Sequence, residues 1–111
     1  MLAHKHRFHR RNQVNRINRQ GKSVRGGVIS LKYKYSPNTD ARVAVVVSKK
    51  VAKSAVVRNR IRRRVFEIIR KNFDEVKPGL EVIIGVFDAS VADMPADELQ
   101  KTILNLLAQA K

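Results

Sequence analysis

The sequence has no cysteine and no tryptophan, and aromatic residues make up only 5% of it. Without cysteine the chain can form no disulfide framework and no thiolate metal site, which fits a protein of a reducing compartment. No apolar run is long enough to span a membrane, and the N-terminal MLAHKHRFHRR lacks the apolar middle region of a secretory signal. We therefore expect a cytoplasmic protein.

Acidic residues are nearly missing from the first two-thirds of this 111-residue chain, whose net charge is +15. Residues 1–73 contain 21 Lys and Arg but only two acids, Asp40 and Glu67, whereas residues 74–111 contain three bases and seven acids. A charge that served only solubility would not be divided in this way. The division favours a polyanionic partner that docks on the basic part of the chain. A membrane surface fits less well, because the basic segment lacks a Trp-rich or Leu-rich insertion face.

The densest basic segment runs from residue 49 to residue 64 and has eight Lys and Arg in sixteen residues, without an acid. Apolar residues at Val57, Ile61 and Val65 have the spacing of one helix face, which predicts a helix over residues 55–73. Such a helix would bury this stripe and hold guanidinium groups in fixed positions that suit phosphate groups. The candidate phosphate contacts of this segment are Lys49, Lys50, Lys53, Arg58, Arg60, Arg62 and Arg63.

The whole sequence predicts one domain, residues 1–111, with elements in the order α-β-β-α-β-α and an α/β fold. Residues 1–9 are expected to be loosely ordered. We predict helices over 10–20, 55–73 and from Pro95 onward, and strands over 28–35, 42–48 and 81–87. The second and third strands flank the main helix, so they are expected to be parallel neighbours across it.

Spacing also assigns faces to these elements. The β-branched run at 42–48 is typical of a central buried strand. In the strand at 28–35, one face carries Ile29, Leu31, Tyr33 and Tyr35, and the other is wetter and basic, with Val28, Ser30, Lys32 and Lys34. The last helix is expected to bury Leu99, Ile103, Leu106, Leu107 and Ala110.

No arrangement of residues typical of a catalytic centre is present. Metal-assisted cleavage of a phosphodiester needs converging carboxylates or another ligand set, but seven of the nine acids follow residue 73. His4, His6 and His9 lie on a terminus without fixed geometry, so we expect no metal site there. Gly21-Lys22-Ser23 resembles the end of a P-loop, yet Arg16 stands where that motif requires glycine. The chain is therefore predicted to be a binding protein without catalytic residues of its own and without a small-molecule substrate.

From Ser48 onward, SKKVAKSAVVRNRIRRR resembles the protein component of bacterial ribonuclease P, and the resemblance covers most of the chain. Arg58-Asn59-Arg60 would carry little weight alone, but it stands within an ordered set of matching segments. These segments also include Gly21-Lys22-Ser23-Val24, Glu67, Lys77-Pro78-Gly79, Glu98-Leu99 and Leu106-Leu107.

The resemblance implies an α+β sandwich shared with some ribosomal proteins, with an uncommon left-handed crossover around the basic main helix. It implies a subunit of a ribonucleoprotein endonuclease that removes 5′ leaders from precursor tRNA, the chemistry being carried by a catalytic RNA with Mg²⁺. The main helix would face that RNA, and Asn59 would contact RNA or a hydrated metal beside Arg58, Arg60, Arg62 and Arg63. Mg²⁺ would act through the RNA subunit and the substrate, and no metal ligand is assigned to the protein.

The resemblance also implies a cleft between the sheet and the short N-terminal helix, which takes the single-stranded 5′ leader. The residues assigned to this leader cleft are Phe8, Val14, Asn18, Lys32 and Tyr33. Here the chain departs from the pattern of the family it resembles, in which two phenylalanines usually stand at the positions of Val14 and Asn18 and a tyrosine at that of Lys32. Phe66 likewise stands where an arginine usually precedes Glu67. Since stacking on an aromatic ring contributes about 1–3 kcal/mol per base, we expect a weaker stacking surface, with Phe8 and Tyr33 available to compensate.

Two other functions remain open at this point. The chain could be a structural RNA-binding protein of the ribosomal type, without a catalytic partner, or a self-sufficient basic nuclease. Rescue of precursor-tRNA cleavage by a catalytic RNA at low Mg²⁺ separates the ribonuclease P subunit from the first alternative. Cleavage by the protein alone would support the second.

Overall fold

The computed structural model describes residues 21–35, 41–76 and 78–110. Within these ranges the chain forms strands β1 (Lys22–Gly26), β2 (Ile29–Tyr35), β3 (Arg42–Val47) and β4 (Leu80–Val86), and helices α1 (Ala55–Lys71) and α2 (Ala96–Gln109). Short 3₁₀ turns span Phe73–Glu75 and Ala89–Ala92. The helix predicted at 10–20 and the loosely ordered segment predicted at 1–9 lie outside the described residues.

The four strands form one sheet in the order β1-β2-β4-β3. β2 pairs antiparallel with both β1 and β4, whereas β3 and β4 are parallel and are connected through α1. This confirms the α+β fold and the parallel pairing of the strands that flank the main helix. The left-handedness of this crossover stays a prediction from the resemblance.

Strand β1 is an addition to the predicted element order. None of the predicted elements covers residues 22–26, but Lys22 to Gly26 pair with β2 in a hairpin, with Gly26 opposite Ile29. Gly27 adopts a φ of 63° in the two-residue connection, a conformation that glycine reaches without steric cost. β1 could not be inferred from alternation, because it is short and mostly exposed.

The prediction that residues 42–48 form a central strand is wrong. β3 is an edge strand of the described sheet, and β4 lies between β3 and β2. Val43, Val45 and Val47 are buried, but Val46 is 45% exposed because its face of β3 is not covered to the same extent. β4 has a hydrogen-bonded neighbour on each side, and all of its residues except Gly85 are buried.

The core lies on one face of the sheet, which both helices cover. Buried residues of α1 (Ile61, Val65, Ile69) and of α2 (Leu99, Ile103, Leu106) form one cluster with Ile29, Leu31, Val43, Val82 and Ile84. Gly26 allows close approach of α2, since a Cβ there would lie 3.3 Å from Leu106 Cδ2. The predicted stripes of both helices are confirmed. Tyr35, which ends β2, is 61% exposed and does not join the core.

Candidate nucleic-acid interface

The segment between β3 and α1 presents three exposed lysines, Lys49, Lys50 and Lys53, at the start of the basic helix. The Ser48 carbonyl accepts hydrogen bonds from the amides of Val51 (3.1 Å) and Ala52 (3.3 Å), which closes a turn. At the other end, the Ser54 hydroxyl caps α1 by accepting from the Val57 amide at 3.4 Å. The first turn of α1 contains no acid, so the positive end of the helix dipole adds to the lysine charges.

Arg58 is half-buried and turned back toward this segment. Its Nη1 donates hydrogen bonds to the carbonyl oxygens of Ala52 at 2.8 Å and of Lys53 at 2.9 Å. The guanidinium therefore connects the first turn of α1 to the backbone that carries the lysines.

The outer face of α1 carries Asn59, Arg60, Arg62 and Arg63. Arg62 donates from Nη2 to Asn59 Oδ1. Arg60 lies 3.4 Å from an Asp93 carboxylate oxygen, but the two side chains are 62% and 80% exposed, so the ion pair contributes little to stability. Arg63 is exposed and has no hydrogen bond or ion pair with the described part of the chain. With the buried ring of Phe66, Asn59, Arg62 and Arg63 line a shallow groove.

Arg64, the next residue, is directed into the fold and does not belong to the exposed basic face. Its guanidinium donates to the Val91 carbonyl at 2.6 Å and to the Met94 carbonyl, so it connects α1 to the turn that precedes α2. That turn is itself capped by Asp88, whose Oδ1 accepts from the Ser90 amide at 2.8 Å. This hydrogen bond lowers the pKa of Asp88 below its usual value. Arg64 is thus a structural residue.

A second surface lies on the face of the sheet opposite α1 and α2. Here a depression of about 170 Å³, which we call the open-face groove, is lined by Ser30, Lys32, Val46, Ile83, Gly85 and Phe87. Phe87 is 50% exposed, and the Arg25 guanidinium carbon lies 4.6 Å from its ring centroid. Gly85 keeps the groove open, because a Cβ there would lie 3.0 Å from Ser30 Oγ. An exposed ring beside two cations suits a nucleobase with its phosphate.

Of the residues predicted for the leader cleft, the two that the structure describes, Lys32 and Tyr33, lie on opposite faces of the sheet. Lys32 lines the open-face groove, as its alternation in β2 indicated. Tyr33 is buried among the core residues on the other face, so its assignment to the cleft is wrong: adjacent residues of a strand point to opposite faces. Phe8, Val14 and Asn18 lie outside the described residues.

Sequence reasoning missed Phe87. It follows the last residue of β4 and has the same strand parity as Ile83 and Gly85, so its ring falls on the open face. Both faces of the strand EVIIGVF are apolar, so its alternation does not show which face is exposed. The sequence therefore carries no signal that Phe87 lies on the open face.

Three comparisons identify the class of protein. A family model described as Ribonuclease P matches residues 2–111 of the chain. The ribonuclease P protein component of Pseudanabaena sp. (strain PCC 6903) is 38% identical over 113 residues, which cover 100% of this chain and 96% of the relative. The structure of the RNase P protein from Thermotoga maritima superposes with a TM-score of 0.84 at 22% identity, covering 95% of this chain and 97% of that chain. The chain therefore belongs to the ribonuclease P protein component family.

Membership in this family confirms the resemblance seen in the sequence. It makes the chain a subunit of a ribonucleoprotein endoribonuclease of tRNA processing, with the ribonuclease P RNA as its partner. A purely ribosomal role is thereby set aside.

Among the described residues no group of three His, Asp or Glu side chains is placed to hold a metal ion. The described helices include none with the length and apolarity to cross a bilayer.

Arg63 and Arg64 provide a matched test of the division between surface and structural arginines. We expect Arg64→Ala to lower the free energy of unfolding by about 1.5–3 kcal/mol, because two carbonyls lose a charged donor. Arg63→Ala should stay within about 0.5 kcal/mol, as for other exposed substitutions. Urea denaturation of both variants measures this difference, and equal stabilities would refute the structural role of Arg64.

Proposed function

We propose that the outer face of α1 and the lysine segment before it bind the ribonuclease P RNA, and that the open-face groove takes the 5′ leader of precursor tRNA. One observation carries the first part of this proposal. The exposed lysines of one turn lead directly into a helix whose outer face is basic, while the acids of the chain lie mostly in its last third. A fixed array of positive charges favours binding to the phosphate backbone of RNA, because binding releases the counterions condensed on the RNA.

The phosphodiester chemistry is assigned to the RNA subunit, and the protein alone is expected to be inactive. In support, the described residues do not provide the converging carboxylates that a metal-dependent nuclease uses. Mg²⁺ would be held by RNA phosphates, and no step is assigned to a protein-bound metal. The protein's contribution is to position the substrate and to reduce repulsion between phosphate groups.

Reconstitution tests the division of labour. The purified protein, freed of RNA, should not cleave precursor tRNA, whereas its addition to a cognate catalytic RNA should accelerate cleavage most at low Mg²⁺. The physical reason is that phosphate repulsion is least screened when divalent cations are scarce. Cleavage rates measured across an Mg²⁺ series, with and without each component, would decide it. Robust cleavage by RNA-free protein would instead support the self-sufficient nuclease.

Combined replacement of Arg60, Arg62 and Arg63 by alanine tests the helix face. The variant should fold normally, because these side chains lie outside the core, and should bind the RNA subunit more weakly. The slope of log affinity against log salt should shrink by about 0.7–0.9 for each phosphate that the protein no longer neutralises. Circular dichroism checks the fold, and filter binding over a salt series measures the slope. Arg58 is left unchanged because its hydrogen bonds organise the preceding segment. An unaltered affinity at low salt would exclude this face.

The open-face groove predicts a selective effect on the leader. Lys32→Ala and Phe87→Leu should each weaken binding of precursor tRNA by the assembled enzyme and leave mature tRNA, which has no leader, nearly unaffected. Loss of stacking at Phe87 should cost about 1–3 kcal/mol. Competition between precursor and mature tRNA measures the difference, with Lys101→Ala on the exposed side of α2 as the control. Equal losses for both tRNAs would place the leader elsewhere on the protein.

A further inference from the structure

Arg58 differs in position from the bases that form the proposed RNA surface around it. Arg60, Arg63 and the three lysines are exposed, whereas Arg58 is half-buried. Both hydrogens of its Nη1 are directed to backbone carbonyls, those of Ala52 and Lys53. Part of the guanidinium group that could bind a phosphate is therefore already hydrogen-bonded to the protein's own backbone.

The backbone that Arg58 holds is the one that presents Lys49, Lys50 and Lys53. Apart from Arg58, this segment is held at one end by the Ser48 turn and by packing of Val51 against the core, and at the other end by the Ser54 cap. The two carbonyls that Arg58 binds belong to Ala52 and to Lys53 itself. Loss of these hydrogen bonds would therefore leave the backbone around Lys53 free to move. An ammonium group on a freely moving backbone must lose more conformational entropy on binding than one held in place.

We propose that Arg58 is a positioning residue, which contributes to RNA binding by ordering the lysine segment 48–54 rather than through a phosphate contact of its own. This inference rests on the proposed RNA-binding function of the same surface. It separates two roles within Arg58-Asn59-Arg60, a motif whose bases are otherwise alike in charge. The guanidinium is suited to the role because one planar nitrogen donates to two successive carbonyls, which a lysine ammonium does not reproduce in the same geometry.

The free protein gives the first test, which needs no RNA. Arg58→Ala should accelerate amide hydrogen exchange of Val51 and Ala52, which donate to Ser48, by about tenfold or more, without changing exchange in β4. Arg63→Ala is the matched control, because it removes the same charge from the same helix and Arg63 makes no hydrogen bond to the described part of the chain. It should leave exchange in the segment unchanged. Unaltered exchange in Arg58→Ala would overturn the proposal.

RNA binding gives the second test, as a double-mutant cycle. Arg58→Ala alone should weaken affinity for the ribonuclease P RNA about tenfold, a free-energy change of about 1.4 kcal/mol. In a variant in which Lys49, Lys50 and Lys53 are all alanine, Arg58→Ala should weaken affinity for the RNA by less than about a further twofold. The lysines that Arg58 positions are absent from that variant. Arg63→Ala should have the same effect in both backgrounds. Equal effects of Arg58→Ala in both backgrounds would show a direct contact and overturn the proposal.

A conservative substitution at Arg58 distinguishes loss of RNA binding from loss of folding. Arg58→Lys keeps the charge and should fold, but we expect it to lose nearly as much affinity as Arg58→Ala. Recovery to within about twofold of the original affinity would indicate a simple charge contact and refute the positioning role. If the lysine variant and Arg63→Ala both bind RNA normally, the proposed RNA surface itself fails. That outcome is distinct, since the exchange experiment would still report whether Arg58 orders the segment.

Discussion

The packing of α1 against the sheet is the interaction on which the rest of the molecule depends. Most of the stability of a helix in a protein comes from packing of its apolar face, and residues 58–64 of α1 include five arginines and no acid, so that repulsion between these arginines opposes helix formation. Burial of Ile61, Val65 and Ile69 must offset that repulsion. The charged face can therefore exist as an ordered array only because the opposite stripe is part of the core.

The five arginines within residues 58–64 of α1 divide into two groups by their direction. Arg58 reaches back to the segment before the helix and Arg64 reaches across to the turn before α2, each through backbone carbonyls. Arg60, Arg62 and Arg63 face outward, and within the described residues their side chains have only exposed partners or none. Two arginines are thus bound to backbone carbonyls of the fold, and three supply the charge of the proposed RNA surface together with the lysines before α1.

The same strand contributes to the core and to the open-face groove. In β4 the residues Val82, Ile84 and Val86 face the helices, and Ile83 and Gly85 alternate with them toward the groove. Because the side-chain period of a strand is two, a one-residue slip would exchange these sets and fill the groove with core residues. The parallel pairing with β3 and the antiparallel pairing with β2 both oppose such a slip.

The amino-acid sequence by itself determined the helix stripes, the bounds of most strands to within about a residue, and the segment that carries the basic charge. Those features follow from local periodicity, which the chain expresses wherever it packs. Tertiary structure alone decided that β3 lies at an edge and that both helices cover the Val82, Ile84 and Val86 face of β4. It also decided that Phe87 stands exposed beside Arg25. The physical reason is that a strand's pattern shows two faces without saying which one a helix will cover. Likewise, a row of arginines shows charge without showing which guanidinium groups will find carbonyl oxygens of the chain's own backbone.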